Sequence, residues 1–253
     1  MSLSVVLPVY NEQDVIELVV RSVYKSIISK IEDSELILVN DCSTDNTLSI
    51  LKKLSKELKK IRIITPAKNG GHGKSIRLGF LNAKKEWVFH MDSDNQFDSK
   101  EYWKLNKFKD KYDYIYGYRK KRHDPMLRKA LTASLRFSNL LFFGTFMKDT
   151  NSAFKLINNK VLQHMISLVP EDTPTPTIMM TLLAKKLKYR IKLVGVKHFQ
   201  RQTGVSIHGW KLAKGFFRGV MDMLQFRIKM HMFSKDEFKK ARQIRINIGT
   251  SDS

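Results

Sequence analysis

Over its first hundred residues the chain alternates short β-branched runs with segments in which apolar side chains recur every three or four positions. Runs of the first kind suit buried strands and segments of the second kind give a helix one apolar face. The alternation therefore predicts βα units on a largely parallel sheet. Val5–Val9 is the first expected strand, and Asp14–Ile28 the first expected helix, with Val15, Leu18, Val19, Ser22, Val23 and Ile27 on its inner face. Glu35–Val39 follows as a strand and Asp45–Leu58 as a helix, for which Thr44 is the expected N-cap. Ile61–Ile64 is a third strand, and the glycine-rich turn Asn69–Gly73 leads into a helix over Ser75–Ala83. Trp87–Met91 reads as a buried strand that runs directly into Asp92-Ser93-Asp94. In open α/β sheets the ligand crevice lies outside the carboxyl ends of the strands, which is where this acidic loop falls.

Beyond a further expected strand at Tyr112–Tyr116 the character changes to basic clusters and longer helices, the clearest over Met126–Phe143 and Trp210–Met232. In the tail, the alternation Ile244-Arg245-Ile246-Asn247-Ile248 predicts a strand. No internal repeat or low-complexity linker interrupts the pattern. With 253 residues and 42% hydrophobic content the chain can bury one large core, which excludes a disordered tail or a staple-dependent miniprotein.

Charge adds a partner to this picture. The 46 Lys and Arg against 24 Asp and Glu leave +22, an excess that points to nucleic acid, a membrane surface or phosphates. The first hundred residues hold 15 basic and 13 acidic side chains, so nearly all of the excess lies beyond them. A nucleic-acid partner is not expected, because the acidic loops are ordered within a balanced half and no nucleic-acid motif occurs. The lone Cys42 excludes an internal disulfide and a thiolate cluster and favours a reducing, cytosolic compartment. The first apolar run, interrupted by Pro8, is not a signal peptide. No stretch reaches a spanning length, the nearest being Leu140–Met147, so a membrane would be met at its surface.

Asp92, Asp94 and Gln96 place hard oxygen donors within one turn, suited to Mg²⁺ or Mn²⁺. An EF-hand is excluded, since Phe97 and Trp103 stand where its glycine and glutamate belong. Taken alone, a motif this short is more often a solvated strand end. Gly70-Gly71-His72-Gly73-Lys74-Ser75 is not a P-loop, because Lys68 occupies the position of its first glycine, and Ile76 breaks a dinucleotide fingerprint. Either the turn delivers Lys74 and Arg77 to a phosphate at a helix N-terminus, or it is a tight turn carrying solvated bases.

Together these segments resemble family 2 glycosyltransferases with a GT-A fold, most closely the dolichol-phosphate mannose synthase and polyprenyl-phosphate glycosyltransferase branch. The resemblance rests on Pro8-Val9-Tyr10-Asn11-Glu12, on Val39-Asn40-Asp41-Cys42-Ser43-Thr44-Asp45, on Asn69 to Gly79 and on Met91 to Gln96. Gly117 to Arg122, Asp149 to Lys155 and Arg201 to Ser206 are similar to later motifs of the branch, so that residues 4 to 206 are covered. It implies a Rossmann-like α/β catalytic domain over residues 1–206, its mostly parallel sheet flanked by helices, followed by an amphipathic surface helix and basic tail over 207–253. It further implies that Pro8, Tyr10, Glu12, Val39 and Asp41 line the nucleotide pocket, that Asp92 and Ser93 contact a GDP- or UDP-sugar, and that Asp92, Asp94 and Gln96 hold the divalent ion.

A polyprenyl phosphate acceptor would account for the cations, with Arg119, Arg128, Thr132 and Arg201 as its phosphate ligands, although any one of these bases also suits a solvated loop. A departure from the branch is Ile207, which stands where a lysine is usual; Lys211 is a substitute. Within Trp210–Met232 the apolar residues gather on one side and lysines and arginines follow another, which suits either a helix lying on an anionic leaflet or one packed on the core. The reaction expected is inverting displacement at the anomeric carbon. A phosphate acceptor needs no base, whereas a hydroxyl acceptor does, with Asp149 and then Asp172 as candidates. Many members of the branch carry spanning helices after the catalytic domain, a pattern this chain departs from.

Overall fold

A computed structural model describes residues 1–120, 149–200, 221–222, 224–228 and 235–249. The strands are β1 (Leu3–Val9), β2 (Ser34–Asn40), β3 (Ile61–Ile64), β4 (Trp87–His90), β5 (Tyr114–Arg119), β6 (Lys155–Asn158) and β7 (Ile191–Val196). The helices are α1 (Ile16–Ser26), α2 (Thr47–Glu57), α3 (His72–Asn82), α4 (Tyr102–Asn106), α5 (Asn159–Leu168), α6 (Pro176–Lys186) and α7 (Lys235–Gly249). The seven strands form one sheet in the order β3-β2-β1-β4-β6-β5-β7. Every pairing is parallel except those of β6, which runs antiparallel to both β4 and β5. The mostly parallel sheet with flanking helices is the GT-A architecture.

Strand β1 lies at the centre of the parallel half, and all seven of its residues are buried. Its alternation divides the core: Val5 and Leu7 join the layer under α1 and α2, while Val6 joins that under α3, α5 and α6. Burial of each such aliphatic side chain contributes roughly 1.5–3 kcal/mol, which makes β1 the organising strand. Helix α3 approaches it closely at Gly79, where an added Cβ would stand 2.3 Å from Val6 Cγ1.

Three expectations are corrected. Leu18, 60% exposed, and Ser22 face outward, while Val15, Val19, Val23 and Ile27 are buried as expected and are joined by Ile16 and Val20. Thr44 does not cap α2: Asp45 Oδ1 accepts from Thr47 N at 2.9 Å, and Thr44 N donates to Asn11 Oδ1 at 2.8 Å. The Ile244–Ile248 segment is helical within α7, because Ala241, Ile244 and Ile248 repeat at helical spacing against the second core layer while Ile246 faces out. Strand β6 and helices α5 and α6 were not anticipated individually. The expected helix Met126–Phe143 lies outside the described residues, as does most of Trp210–Met232. In its described part Phe226 is buried, whereas Met221 and Ile228 are exposed. No described helix is long and apolar enough to cross a membrane.

Candidate active site

The chain crosses between β1, β2 and β4 at their carboxyl ends, and there a cavity of about 770 Å³ opens. Loops after β1, β2 and β4 and the glycine turn before α3 supply its wall: Pro8 to Glu12, Asp41, Asn69, Gly71, His72, Ser75 and Asp92 to Asp94. The loops after β1 and β2 are stitched together. Glu12 N donates to Thr47 Oγ1 at 2.9 Å, Asn11 N to Ser43 Oγ at 3.1 Å, and Asn46 N to Gln13 Oε1 at 3.0 Å. Tyr10 stands half exposed at the lip, and Glu12 is buried at its base.

Asp41 has a definite structural task. Its two carboxylate oxygens accept the backbone N–H groups of Gly70 and Gly71, each at 2.8 Å, so it holds the glycine turn in place. Gly71 takes φ of 81°, which a side chain would strain, and Gly73 lies so close to the Thr173 carbonyl that a Cβ would stand 2.2 Å from it. The turn thereby delivers His72 at the head of α3 into the cavity, 3.6 Å from Asp92 Oδ1 through its Nε2. The first turn of a helix offers unsatisfied N–H groups and a positive pole, both favourable to an anion.

In the acidic loop, Ser93 Oγ donates to the Pro8 carbonyl at 2.7 Å and ties the loop to the end of β1. Asp94 Oδ1 accepts from Gln96 N at 3.1 Å, closing a turn around Asn95, whose φ is 59°. Asp92 Oδ1 is buried with no hydrogen-bond partner. A buried carboxylate oxygen left in this state costs free energy unless a cation meets it, and with Asp94 beside it the pair fits a divalent ion. Among the described residues no three His, Cys, Asp or Glu side chains gather as a metal-binding cluster.

Two expected pocket residues stand elsewhere. Val39 is fully buried in β2, its Cγ2 beneath α3 at Gly79, and it backs the cavity without lining it, because strand alternation turns it toward the core. Gln96 is not in the cavity wall either: its Nε2 donates to the Phe199 carbonyl at 3.1 Å and its own carbonyl accepts from Phe199 N at 2.8 Å. That clasp binds the acidic loop to the chain leaving β7.

Arg119 and Asp149, considered separately in the sequence, form one unit. Arg119 closes β5, and its Nε and backbone N both donate to Asp149 Oδ2 at 2.9 Å, while a terminal guanidinium nitrogen reaches Oδ1 at 2.6 Å. The pair is largely buried. Asp149 is engaged in this fork and is not among the residues of the cavity wall. Asp172 likewise pairs with Lys74 at 2.6 Å, beside a second cavity of about 690 Å³ on the far side of the glycine turn. Arg77, expected near a phosphate, braces the end of α5 through the Ile166 and Val169 carbonyls. Arg128, Thr132 and Arg201 lie outside the described residues.

Three side chains without an expected role are brought by the structure to the site or beneath it. His72 sits at the head of α3, and its place after Gly71 was the available signal. His90 and Lys155 are register partners in β4 and β6, both fully buried. Burial pushes the His90 imidazole down to about 4, and it pushes the Lys155 amine down to about 7 against the opposing pull of Asp149.

Comparison with known proteins gives the family and the fold. The model of the family "Glycosyl transferase family 2" matches residues 4–165. The undecaprenyl-phosphate 4-deoxy-4-formamido-L-arabinose transferase of Edwardsiella ictaluri (strain 93-146) is 26% identical over 208 residues, covering 81% of this chain and 62% of that protein. The dodecaprenyl-phosphate galacturonate synthase of Rhizobium johnstonii is 26% identical over 228 residues, covering 88% of this chain and 66% of that protein. The chain therefore spans rather less than two thirds of the length of these relatives. Glucosyl-3-phosphoglycerate synthase from Mycobacterium tuberculosis, solved with Mn²⁺ and UDP-glucose, superposes with a TM-score of 0.62 at 17% identity, covering 89% of this chain and 78% of that one.

Proposed function

The chain belongs to glycosyl transferase family 2, and from that premise we propose that it transfers a sugar, with inversion, from a nucleoside-diphosphate sugar to a polyprenyl phosphate. The observation that carries this reading is the buried Asp92 oxygen, which accepts no hydrogen bond and lies 3.6 Å from His72 Nε2, beside Asp94 in the cavity at the head of α3. The names of the two prenyl-phosphate relatives support the acceptor class, and a GDP- or UDP-sugar is the donor.

In this reading Pro8, Tyr10 and Glu12 receive the nucleoside, with Asp41 holding the turn beneath the diphosphate. Asp92 and Asp94 would hold Mg²⁺ or Mn²⁺, whose charge offsets that developing on the departing nucleoside diphosphate. His72 and the first-turn N–H groups of α3 face the same departing group. The acceptor oxygen is already anionic near neutral pH, so displacement at the anomeric carbon rests on positioning and on charge stabilisation. The engagement of Asp149 and Asp172 in ion pairs favours this acceptor over a hydroxyl, which needs a free base. Arg119, held edge-on by Asp149, meets the acceptor phosphate, joined by Arg128, Thr132 and Arg201. The enzyme docks peripherally on the cytoplasmic face of an anionic membrane, where its basic half and the exposed Met221, Ile228 and Phe199 suit the headgroup boundary.

The test is transfer of label from a panel of nucleotide sugars to undecaprenyl phosphate. Asp94→Ala is expected to lower the rate at least about a hundredfold, and a chelator to abolish it until Mn²⁺ or Mg²⁺ is returned. Full transfer by the variant, or in chelator, would remove the metal assignment.

A further inference from the structure

One buried, charged side chain has no part in the reaction described above. Lys155 lies on β6 between its register partners His90 and Tyr116 and is fully buried. Its Nζ donates to the Thr150 carbonyl at 3.1 Å and to Thr181 Oγ1 at 3.3 Å, and stands 4.9 Å from the centroid of the Tyr116 ring. Neither oxygen partner carries a full charge. An ammonium held on these terms costs the fold stability, since hydration is lost without an opposite charge in contact to offset it. A methionine of similar length would pack there at lower cost, so the fold alone does not account for an amine at this position.

The amine acts on Thr150, which follows Asp149. Asp149 holds φ at 55°, a conformation that a non-glycine residue keeps only when its surroundings impose it. From outside, Arg119 imposes it through three hydrogen bonds to the carboxylate. From inside, Lys155 and, at 3.4 Å, the Thr181 hydroxyl reach the Thr150 carbonyl. Thr181 is itself fixed, donating to the Thr177 carbonyl at 2.8 Å and lying 2.8 Å from the Tyr114 hydroxyl. The turn is therefore clamped between the guanidinium and the core.

We propose that Lys155 is a positioning residue for Arg119: by anchoring the Thr150 carbonyl from within the core, it fixes the turn whose carboxylate presents the guanidinium to the acceptor phosphate. This rests on the reading of Arg119 as an acceptor ligand. Loss of the ammonium leaves the turn held from inside by the long Thr181 contact alone, so the guanidinium loses its fixed direction while the donor cavity, built from other loops, keeps its shape.

The experiment measures binding of farnesyl phosphate and of UDP with Mn²⁺ to the wild type, Lys155→Met, Lys155→Arg and Arg119→Gln, with a thermal melt of each. Lys155→Met is expected to melt no lower than the wild type, to bind UDP unchanged and to bind farnesyl phosphate about tenfold more weakly, with Lys155→Arg recovering much of the loss. Unchanged farnesyl phosphate binding by Lys155→Met, an equal loss for both ligands, or failure of Lys155→Met to fold would overturn the proposal, the last by making the lysine purely structural. If Arg119→Gln binds farnesyl phosphate as the wild type does, the acceptor reading of Arg119 fails and the proposal falls with it. A loss in Arg119→Gln but none in Lys155→Met removes the proposal alone.

Discussion

Asn11, Cys42, Asn95 and Asp149 all take φ between 52° and 59°, and all four lie at the end of the sheet where the cavity opens. Each left-handed residue of this kind costs on the order of 1 kcal/mol, and each here is held by neighbouring contacts: Asn11 by Ser43 and Thr44, Asn95 by the Asp94 turn, Asp149 by Arg119. Of the four, Asn11 lines the cavity itself. His72 gains its position in the same way, since the φ of Gly71 swings the chain into α3. His72→Ala is expected to weaken binding of UDP with Mn²⁺ about tenfold and to leave farnesyl phosphate binding alone, as titration calorimetry of each ligand would measure. Equal binding of UDP would place the imidazole outside the donor site.

At the scale of elements, α3 is set by two close approaches. Gly79 brings it onto β1 and Gly73 onto the Thr173 segment. Gly79→Ala is expected to destabilise the fold by about 1–3 kcal/mol, because Val6 is itself locked in the central strand and cannot give way, and a denaturant melt would read the loss. The parallel half of the sheet and its helices were legible in the sequence because each strand there carries a β-branched or aromatic apolar run between turn residues and each helix keeps one apolar face. Strand β6 was not, since Lys155 and Asn158 at its ends leave only Leu156 and Ile157 as an apolar run, and only the tertiary setting of Tyr114, Tyr116 and Thr181 makes burial of an amine possible. The tail was misread for a related reason. Residues 244 and 248 are separated by four positions, a spacing that serves strand alternation and a helical face equally, and contact with α5 decides for the helix. Within the site, motif spacing located the acidic loop and the nucleotide loops. It did not reveal that Arg119 and Asp149 are one unit, because the chain between them is thirty residues long and only the sheet brings its ends together.

The whole molecule is polarised. Nearly all of the net charge of +22 lies beyond the first hundred residues, so the donor-binding half is balanced and the remainder is basic. Flotation with vesicles containing anionic phospholipid is expected to recover the protein at low salt and to lose it progressively as ionic strength rises, while UDP binding changes little. Recovery on neutral vesicles alone, or binding indifferent to salt, would point to an apolar mode of attachment. The reversal of β6 has a consequence in time. Strands β1 to β4 can assemble from successive crossovers as they leave the ribosome, but the edge of β4 stays open until β6, last of its neighbours in the chain, arrives to close it. Between the synthesis of His90 and that of Asn158 the nascent protein carries an unpaired, wholly buried-type strand edge, the feature most prone to pair with another copy. Chaperone dependence should therefore concentrate in that interval of translation, before the acceptor side of the site exists.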